Sequence, residues 1–553
     1  MLLSILRGIA ARRNPVSRAA FVFLHPSPSQ SITITSTVSA ASYTRPSLPM
    51  RRTNGGRIKS TVVPLTQRDE EDADNAAPAQ PKQKKQQARK QKPWQGPFLY
   101  HEELELTVDS LTNLGLGICR TSLPLQSSPT FTSDSNSSSS PIPPPPPVER
   151  ERSAAPVAPE SWVIMVPGVI PGERIRLRIY RNHKNYSEAD LVEVIEASPA
   201  RVEPVCSLFG RCGGCQYQHM SITAQRDWKQ QHVVDVLART GNITNVAVQK
   251  VIGTDDVLGY RSKITPHHEK PRGGEIKDIG FLKLGSRALV DVEQCAIATP
   301  AINARLMGLR EEVRARARAA AAEETPKKPK GATLFLRETQ EGVVTDPRVE
   351  VSDKIRGLTF KYTAGSFFQN NPFMLPEMVG YVTGKAREGG MRFLVDAYCG
   401  GGLFCLSASK DFEACYGVEI SELAILSARR NADLNEITNC HFRAGDASDI
   451  FAGIKHIRGQ ETVMIIDPPR KGCDEDFLTQ LCAFRPARIV YVSCDPATQA
   501  RDAQVLVRSG YEIEELQPFD LFPQTRHIEN VIVFADARLS GPGHGPAAPA
   551  AAE

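Results

Sequence analysis

No aspartate or glutamate occurs before Asp69, although Arg7, Arg12, Arg13 and Arg18 do. That absence argues against an ordinary folded start. The arginines interleave with Leu2, Leu3, Ile5, Leu6, Ile9, Phe21 and Phe23 in a serine-bearing stretch, the pattern of a mitochondrial import signal. Met50 offers a second start that would omit it. No run approaches the ~18 apolar residues of a spanning helix, so no membrane partner is expected. No Gly-x-x-x-x-Gly-Lys-Ser/Thr loop occurs, which removes the usual ATP phosphate cradle. Acidic residues show no constellation suited to a nuclease metal. Twelve cysteines in 553 residues are too sparse for an extracellular disulfide scaffold. The net charge of +5 permits an RNA partner without requiring one.

A chain of this length holds several domains. Residues 51–95 are polar, with Asp69 to Asp72 followed by Lys82, Lys84, Lys85, Arg89, Lys90 and Lys92, and read as a disordered linker. From Phe98 short alternating strands begin: Leu104–Val108, Trp162–Val166 and Arg174–Tyr180, with turns at Gly115, Gly117 and Gly172. They suggest an OB-type β-barrel over 98–203 with arginines on one face, a form that binds looped or single-stranded RNA. A Ser/Pro-rich insert near 121–160 interrupts it and should loop from its surface, since loops tolerate length cheaply. Next come Cys206, Cys212 and Cys215, with Cys295 much later. Three thiolates in a short loop containing Gly213 and Gly214 can wrap one metal centre. The spacing fits zinc or an iron–sulfur cluster, because only one C-x2-C knuckle is present. Tyr260, Arg261 and Lys263 could stack on bases and grip phosphate. Residues 301–322 form an Ala/Arg-rich helix with a solvated face, ended by the basic turn Lys327–Lys330. A second helix opens at Pro372.

The C-terminal part alternates strand and helix. Phe393–Ala397 runs into Tyr398-Cys399-Gly400-Gly401-Gly402, and the next strand ends in Glu419. An acid about 20 residues beyond a glycine loop can accept ribose hydroxyls, which favours a nucleoside cofactor. Asp446, ending the third strand, could meet an adenine. The fourth strand, Val463–Ile466, leads into Asp467-Pro468-Pro469-Arg470-Lys471-Gly472. The fifth, Arg488–Val492, leads into Ser493-Cys494-Asp495-Pro496. In a doubly wound sheet such strand ends face the ligand crevice. A closing strand pair, Tyr511–Leu516 and Ile528–Ala535, would run antiparallel at its last member. Its start would then bring Phe522 to Glu529 back to the active edge, with Glu529 near Cys494. Cys494 reads as a nucleophile, Glu529 as a base and Arg470 as the cation that eases thiolate formation. Asp495 should point away from the sulfur, which its charge would otherwise oppose.

With these motifs the chain resembles the RNA uracil-C5 methyltransferases over roughly residues 98–538. The resemblance rests on Asp467–Gly472, Ser493–Pro496, and Phe522-Pro523 through His527-Ile528-Glu529. It implies an α/β, Rossmann-like methyltransferase domain over 339–538, fed by S-adenosyl-L-methionine (SAM). A TRAM barrel at 98–203 and a small central α/β domain at 204–338 precede it. Residues 1–97 and 539–553 are then import signal, linker and tail. The family pattern places cofactor contacts at Gln369, Tyr398, Glu419 and Asp467, the nucleophile at Cys494 and the proton acceptor at Glu529. Its rRNA-modifying members carry a [4Fe-4S] cluster on a cysteine pattern that Cys206, Cys212, Cys215 and Cys295 match. The N-terminal extension makes tRNA, at the T-loop uridine of position 54, the expected partner, and a mitochondrial monomer the expected form. Competing readings are an rRNA uracil-C5 or cytosine-C5 methyltransferase, and a non-catalytic RNA-binding or tRNA-folding protein.

Overall fold

The computed structural model describes residues 96–122, 161–323 and 330–539. The import signal, Met50, the linker, most of the Ser/Pro insert, the turn at 327–329 and the tail beyond 539 lie outside the described residues.

Five strands close into a barrel: β1 (Glu103–Leu111), β2 (Leu116–Ser122), β3 (Ser161–Pro167), β4 (Arg174–Asn182) and β5 (Tyr186–Glu196), in the order β1-β2-β3-β5-β4. Inward positions alternate along each strand and fill the interior with Val108, Cys119, Ile164, Val166, Ile175, Leu177 and Ile179. Ser122 pairs with Ser161 at the open end of the β2–β3 ladder. The insert therefore joins two antiparallel neighbours, and its length costs the ladder nothing. Gly115 makes the turn with φ of +79°, whereas Gly117 lies inside β2. Arg174, Arg176 and Arg178 share one outward face, as expected, and acids accompany them. Arg174 pairs with Glu105 and Glu196, Arg176 with Glu105 and Glu193, and Arg178 with Glu103. Cross-strand register sets an acid opposite each of these arginines, so they form an ion-pair ladder.

Beyond the barrel comes α1 (Ile222–Val236), capped by Ser221. Short strands Ala332–Thr333, His267–His268, Ile279–Leu282 and Leu289–Asp291 then form a small antiparallel sheet. Helix α2 (Pro300–Ala321) buries Ile302, Leu306, Leu309 and Val313 at helical spacing, while Glu311, Glu312 and Arg318 remain solvated. Buried Arg310 reaches Asp291 and the carbonyls of Ile279 and Val292.

Helix α3 (Leu375–Arg387) starts three residues later than its sequence suggests. The Asn371 side chain accepts from the Phe373 and Met374 N–H groups, making Pro372 part of a turn. Pro376, not Pro372, occupies the first helical turn. The large sheet contains β6 (Phe393–Ala397), β7 (Ala414–Glu419), β8 (Cys440–Ala444), β9 (Thr462–Ile466), β10 (Arg488–Ser493), β11 (Tyr511–Phe519) and β12 (Glu529–Asp536). Its order is β8-β7-β6-β9-β10-β12-β11, with β12 antiparallel to β10. Besides α3 and a single turn at Ile450–Gly453, the helices that flank it include α4 (Leu403–Ala408), α5 (Glu422–Leu434), α6 (Glu475–Phe484) and α7 (Pro496–Arg508). All of β9 and β12 is buried, as central strands covered on both faces require.

Candidate active site

Antiparallel β12 begins where the parallel strands finish. Ser493 pairs with Asn530, so one step further sets Cys494 across from Glu529. Asp467, at the end of β9, and Arg470, in the turn that follows, reach the same spot. The turn closes through Gly472 N–H to the Pro469 carbonyl at 2.8 Å. Gly472 has φ of +78°, and a Cβ there would strike Arg501 and Asp502. Asp495 points away from the sulfur, as expected. Its carboxylate accepts from Ala497 and Thr498 N–H and caps α7, with Pro496 in the first turn.

Cys494, Glu529 and Asp467 converge here beside Arg470. Burial, then Glu529 and Asp467, pushes the half-buried Cys494 thiol up to about 11, and Arg470 opposes the rise by charge and hydrogen bond. Burial and Asp467 hold Glu529 well above the usual carboxylate range; Arg470 again opposes. Burial pushes Asp467 up to about 7. His527 Nδ1 lies 3.5 Å from Arg470 Nη2, and burial with the surrounding cations pushes that imidazole down to about 4. At neutral pH the resting site therefore holds a protonated Cys494 thiol and a neutral His527, with Glu529 shifted toward its protonated form. Cys494 and Asp467 are half-buried rather than sealed.

Beside this cluster lies a cradle. Tyr398, Gly400 and Gly402 adopt φ of +68°, +53° and +86°. A Cβ on Gly402 would come within 3.1 Å of Leu406 and Phe442, while a Cβ on Gly400 would meet open space. Glu419 accepts from Gly400 N–H at 3.3 Å and Ser421 N–H at 2.9 Å, which fastens the loop to the end of β7. The half-buried Gln369 side chain forms no hydrogen bond among the described residues. Tyr398 packs edge-on against Phe477. An open Gly400 surface, an acid at the next strand end and an unpaired amide fit a nucleoside cofactor. Exposed Asp446 caps its own turn through Ser448 N–H. Sequence reasoning overlooked Asp396. It is buried beneath the loop, with one oxygen accepting from Cys405 N–H and the other unpaired. Its position inside an apolar strand was the available signal.

Cys206, Cys212, Cys215 and Cys295 line one cavity of about 500 Å³, with Arg261, Lys263, Asn370 and His527 also on its wall. Zinc–sulfur bonds of about 2.3 Å place four sulfurs roughly 3.8 Å apart. Among the described residues, no three of these sulfurs lie within 4.8 Å of one another. Positive φ falls at Gly210 rather than at Gly213 or Gly214; Gly213 instead lets the chain approach the Leu282 carbonyl. A second thiol group, absent from the sequence reading, gathers Cys405, Cys415 and Cys440.

The cysteine loop is tied to the catalytic edge. Gln216 and Tyr217 N–H groups both donate to the Gln524 carbonyl. Gln225 Nε2 donates to the Gln524 side chain, and Gln524 N–H donates back to Gln225. Lys229 Nζ reaches Asp520 at 2.5 Å and the Phe522 carbonyl at 3.1 Å. Tyr260 is wholly buried, with its hydroxyl donating to the Pro523 carbonyl, so it supports the loop and cannot stack on a base. Burial, Arg337 and Arg261 push Lys263 down to about 8.

A family model described as tRNA (uracil-5-)-methyltransferase matches residues 339–537. A tRNA (uracil(54)-C(5))-methyltransferase of Schizosaccharomyces pombe is 37% identical over 68% of this chain and 74% of that protein. The chain belongs to the tRNA (uracil-5-)-methyltransferase family. Its Saccharomyces cerevisiae relative of the same name is 31% identical over 67% of this chain and 68% of that protein. The solved tRNA (uracil-54, C5)-methyltransferase of Pyrococcus abyssi, in complex with S-adenosyl-L-homocysteine, is 20% identical. It aligns over 78% of this chain and 100% of that one, with a TM-score of 0.53, and shares the fold.

Proposed function

We propose that this chain methylates carbon 5 of a uridine in tRNA, at position 54 of the T-loop, using SAM. The observation that carries this reading is Cys494 facing Glu529 across the β10–β12 register, with Asp467 and Arg470 beside them. Carbon 5 of uracil is too weak a nucleophile unaided. Addition of the Cys494 sulfur to carbon 6 breaks the 5,6 double bond and moves its electron pair toward carbon 5 and the carbonyl oxygen on carbon 4. Arg470, within hydrogen-bond reach of the sulfur, stabilises the thiolate this addition needs. Bound SAM would supply the methyl group to which carbon 5 gives that electron pair, the methyl–sulfur bond breaking so that a neutral thioether leaves, and its positive charge would favour ionised carboxylates. Glu529, once ionised, takes the carbon 5 proton. The carbon–sulfur bond then breaks, the double bond returns and the thiolate leaves. Gln369, Tyr398, Glu419 and Asp467 hold the cofactor. A base folded inside tRNA must be flipped out first, at a cost of a few kcal/mol that is least in a loop.

The same reading makes 98–203 a TRAM domain and 204–338 a central α/β domain. It gives Cys206, Cys212, Cys215 and Cys295 a [4Fe-4S] cluster that ties the loop to Cys295. Mitochondrial import, with a second form from Met50, rests on the acid-free N-terminus alone. Among the described residues no helix is long and apolar enough to cross a membrane.

Incubation with SAM and tRNA carrying 5-fluorouridine tests the chemistry, because fluorine does not leave as a proton does. The wild type should give a denaturation-resistant adduct and Cys494→Ala none. An adduct in Cys494→Ala refutes the nucleophile. Glu529→Gln should accumulate adduct on ordinary tRNA and turn over slowly; wild-type turnover refutes the base. Anaerobic purification should give a brown protein containing iron and sulfide, and a colourless zinc protein refutes the cluster.

A further inference from the structure

We propose that Cys405, Cys415 and Cys440 form a three-sulfur site for a thiophilic d10 ion, with monovalent copper as the matching occupant. Their sulfurs all lie within 4.8 Å of one another, although they come from α4, β7 and β8. Cys415 and Cys440 are direct register partners on adjacent parallel strands, so both side chains leave the same face of the sheet. Helix α4 packs on that face and delivers Cys405 between them. All three thiols are free.

Cysteines are often merely small apolar residues of a core. Two features set this group apart. The three sulfurs meet one another, with the Cys440 sulfur in hydrogen-bond contact with both neighbours. The group also has an opening. Cys405 and Cys415 are fully buried, but Cys440 is only half-buried and sits on β8, the edge strand of the sheet. An ion can thus reach the triad from solvent without unfolding the core.

The donors define the occupant's chemistry. Sulfur ligands select soft ions such as monovalent copper and zinc over oxygen-seeking ones. Structural zinc sites close with four protein ligands. Here no fourth cysteine, histidine or carboxylate reaches the same point among the described residues. The triad belongs to the apolar cluster that also holds Leu406, Phe412, Ile425 and Phe442. Three sulfur donors within apolar walls suit three-coordinate monovalent copper. Each thiol that ligates gives up its proton, and nothing is oxidised. Cys405 lies three residues past Gly402, so a bound ion would pin α4, and with it one flank of the glycine loop, to β7 and β8.

The test uses the full-length protein, anaerobic and with its own metal content, titrated with monovalent copper held by a competing chromophoric chelator. Peptide-level maleimide labelling reports which thiols are covered. Labelling is run in urea just below the unfolding midpoint, where the fully buried Cys405 and Cys415 also open; there copper should protect Cys405, Cys415 and Cys440 together, and Cys440→Ser should bind one equivalent less than the wild type and than Cys482→Ser. The labelling needs no variant, so it still decides if Cys440→Ser folds poorly. Equal stoichiometry in Cys440→Ser, or protection confined to Cys206, Cys212, Cys215 and Cys295, overturns the site. Zinc in a parallel arm should protect the triad at least tenfold less effectively; equal protection by zinc overturns the three-coordinate assignment.

Discussion

Replacing Lys229 by methionine probes whether the catalytic edge is held from outside the methyltransferase domain. Lys229 and Asp520 are both fully buried, with their charged atoms 2.5 Å apart. Removing the ammonium leaves a buried carboxylate, and breaking such a pair typically costs about 3–5 kcal/mol. Arg226 Nε still lies 3.6 Å from the other Asp520 oxygen, which places the expected loss near the lower end, about 3 kcal/mol. For a domain of this size that corresponds to a fall in Tm of roughly 6–12 °C. The Phe522 carbonyl also loses its Lys229 partner, in the segment that leads to His527 and Glu529. Adduct formation should therefore slow more than SAM affinity weakens. Adding Asp520→Asn removes the orphaned charge, so Lys229→Met/Asp520→Asn should recover most of the lost stability. Urea unfolding of both singles and the double measures the coupling. A Lys229→Met protein within about 0.5 kcal/mol of wild type, the scatter of surface substitutions, with an unchanged adduct rate, would refute the argument.

Arg470→Gln removes the cation that opposes the rise of the Cys494 thiol and should cut adduct formation at pH 7.5 about tenfold or more, as a one-unit rise in thiol pKa would do. Raising the pH should restore part of that rate, and a pH-independent loss would mean Arg470 acts only on substrate binding. Gly402→Ala puts a Cβ at φ of +86° within 3.1 Å of Leu406 and Phe442, so about 1–3 kcal/mol of stability should go, with weakened SAM binding by calorimetry. Burial holds His232 down at about 4 against its ordinary 6.5, and its ring contacts the Tyr217 hydroxyl. A depressed folded pKa means stability that is full above pH 6.5 and lost as pH falls toward 4. The loss from this residue amounts to up to about 3 kcal/mol, and urea unfolding across that window should be flatter in His232→Gln.

The motifs at the strand ends were legible because local chemistry writes them. Asp467 and Cys494 each follow an apolar run and precede a helix start, and the pattern alone located both strands. Glu529 needed one topological idea, a reversed final strand, and the register bears it out. The turn at Pro372 was misread because a proline that opens a helix and one inside an Asn-led turn look alike in sequence. The Asn371 side chain decided between them. The acids that accompany the barrel arginines were not legible, for a different reason. Glu193 and Glu196 are distant in sequence from Arg174 and Arg176, and only the strand register makes them partners.

The sequence alone determined the succession of strands along the chain, the glycine loop, a thiol and a carboxylate brought to one edge of the sheet, and the family. Those depend on short segments whose periodicity and side-chain types carry their own meaning. Only the tertiary structure decided that Gln225, Lys229 and Tyr260 grip the loop before Glu529, that Tyr260 faces inward, and that three sulfurs meet behind the cofactor cradle. Contacts between residues hundreds of positions apart arise from packing, and packing leaves no local periodic trace along the chain.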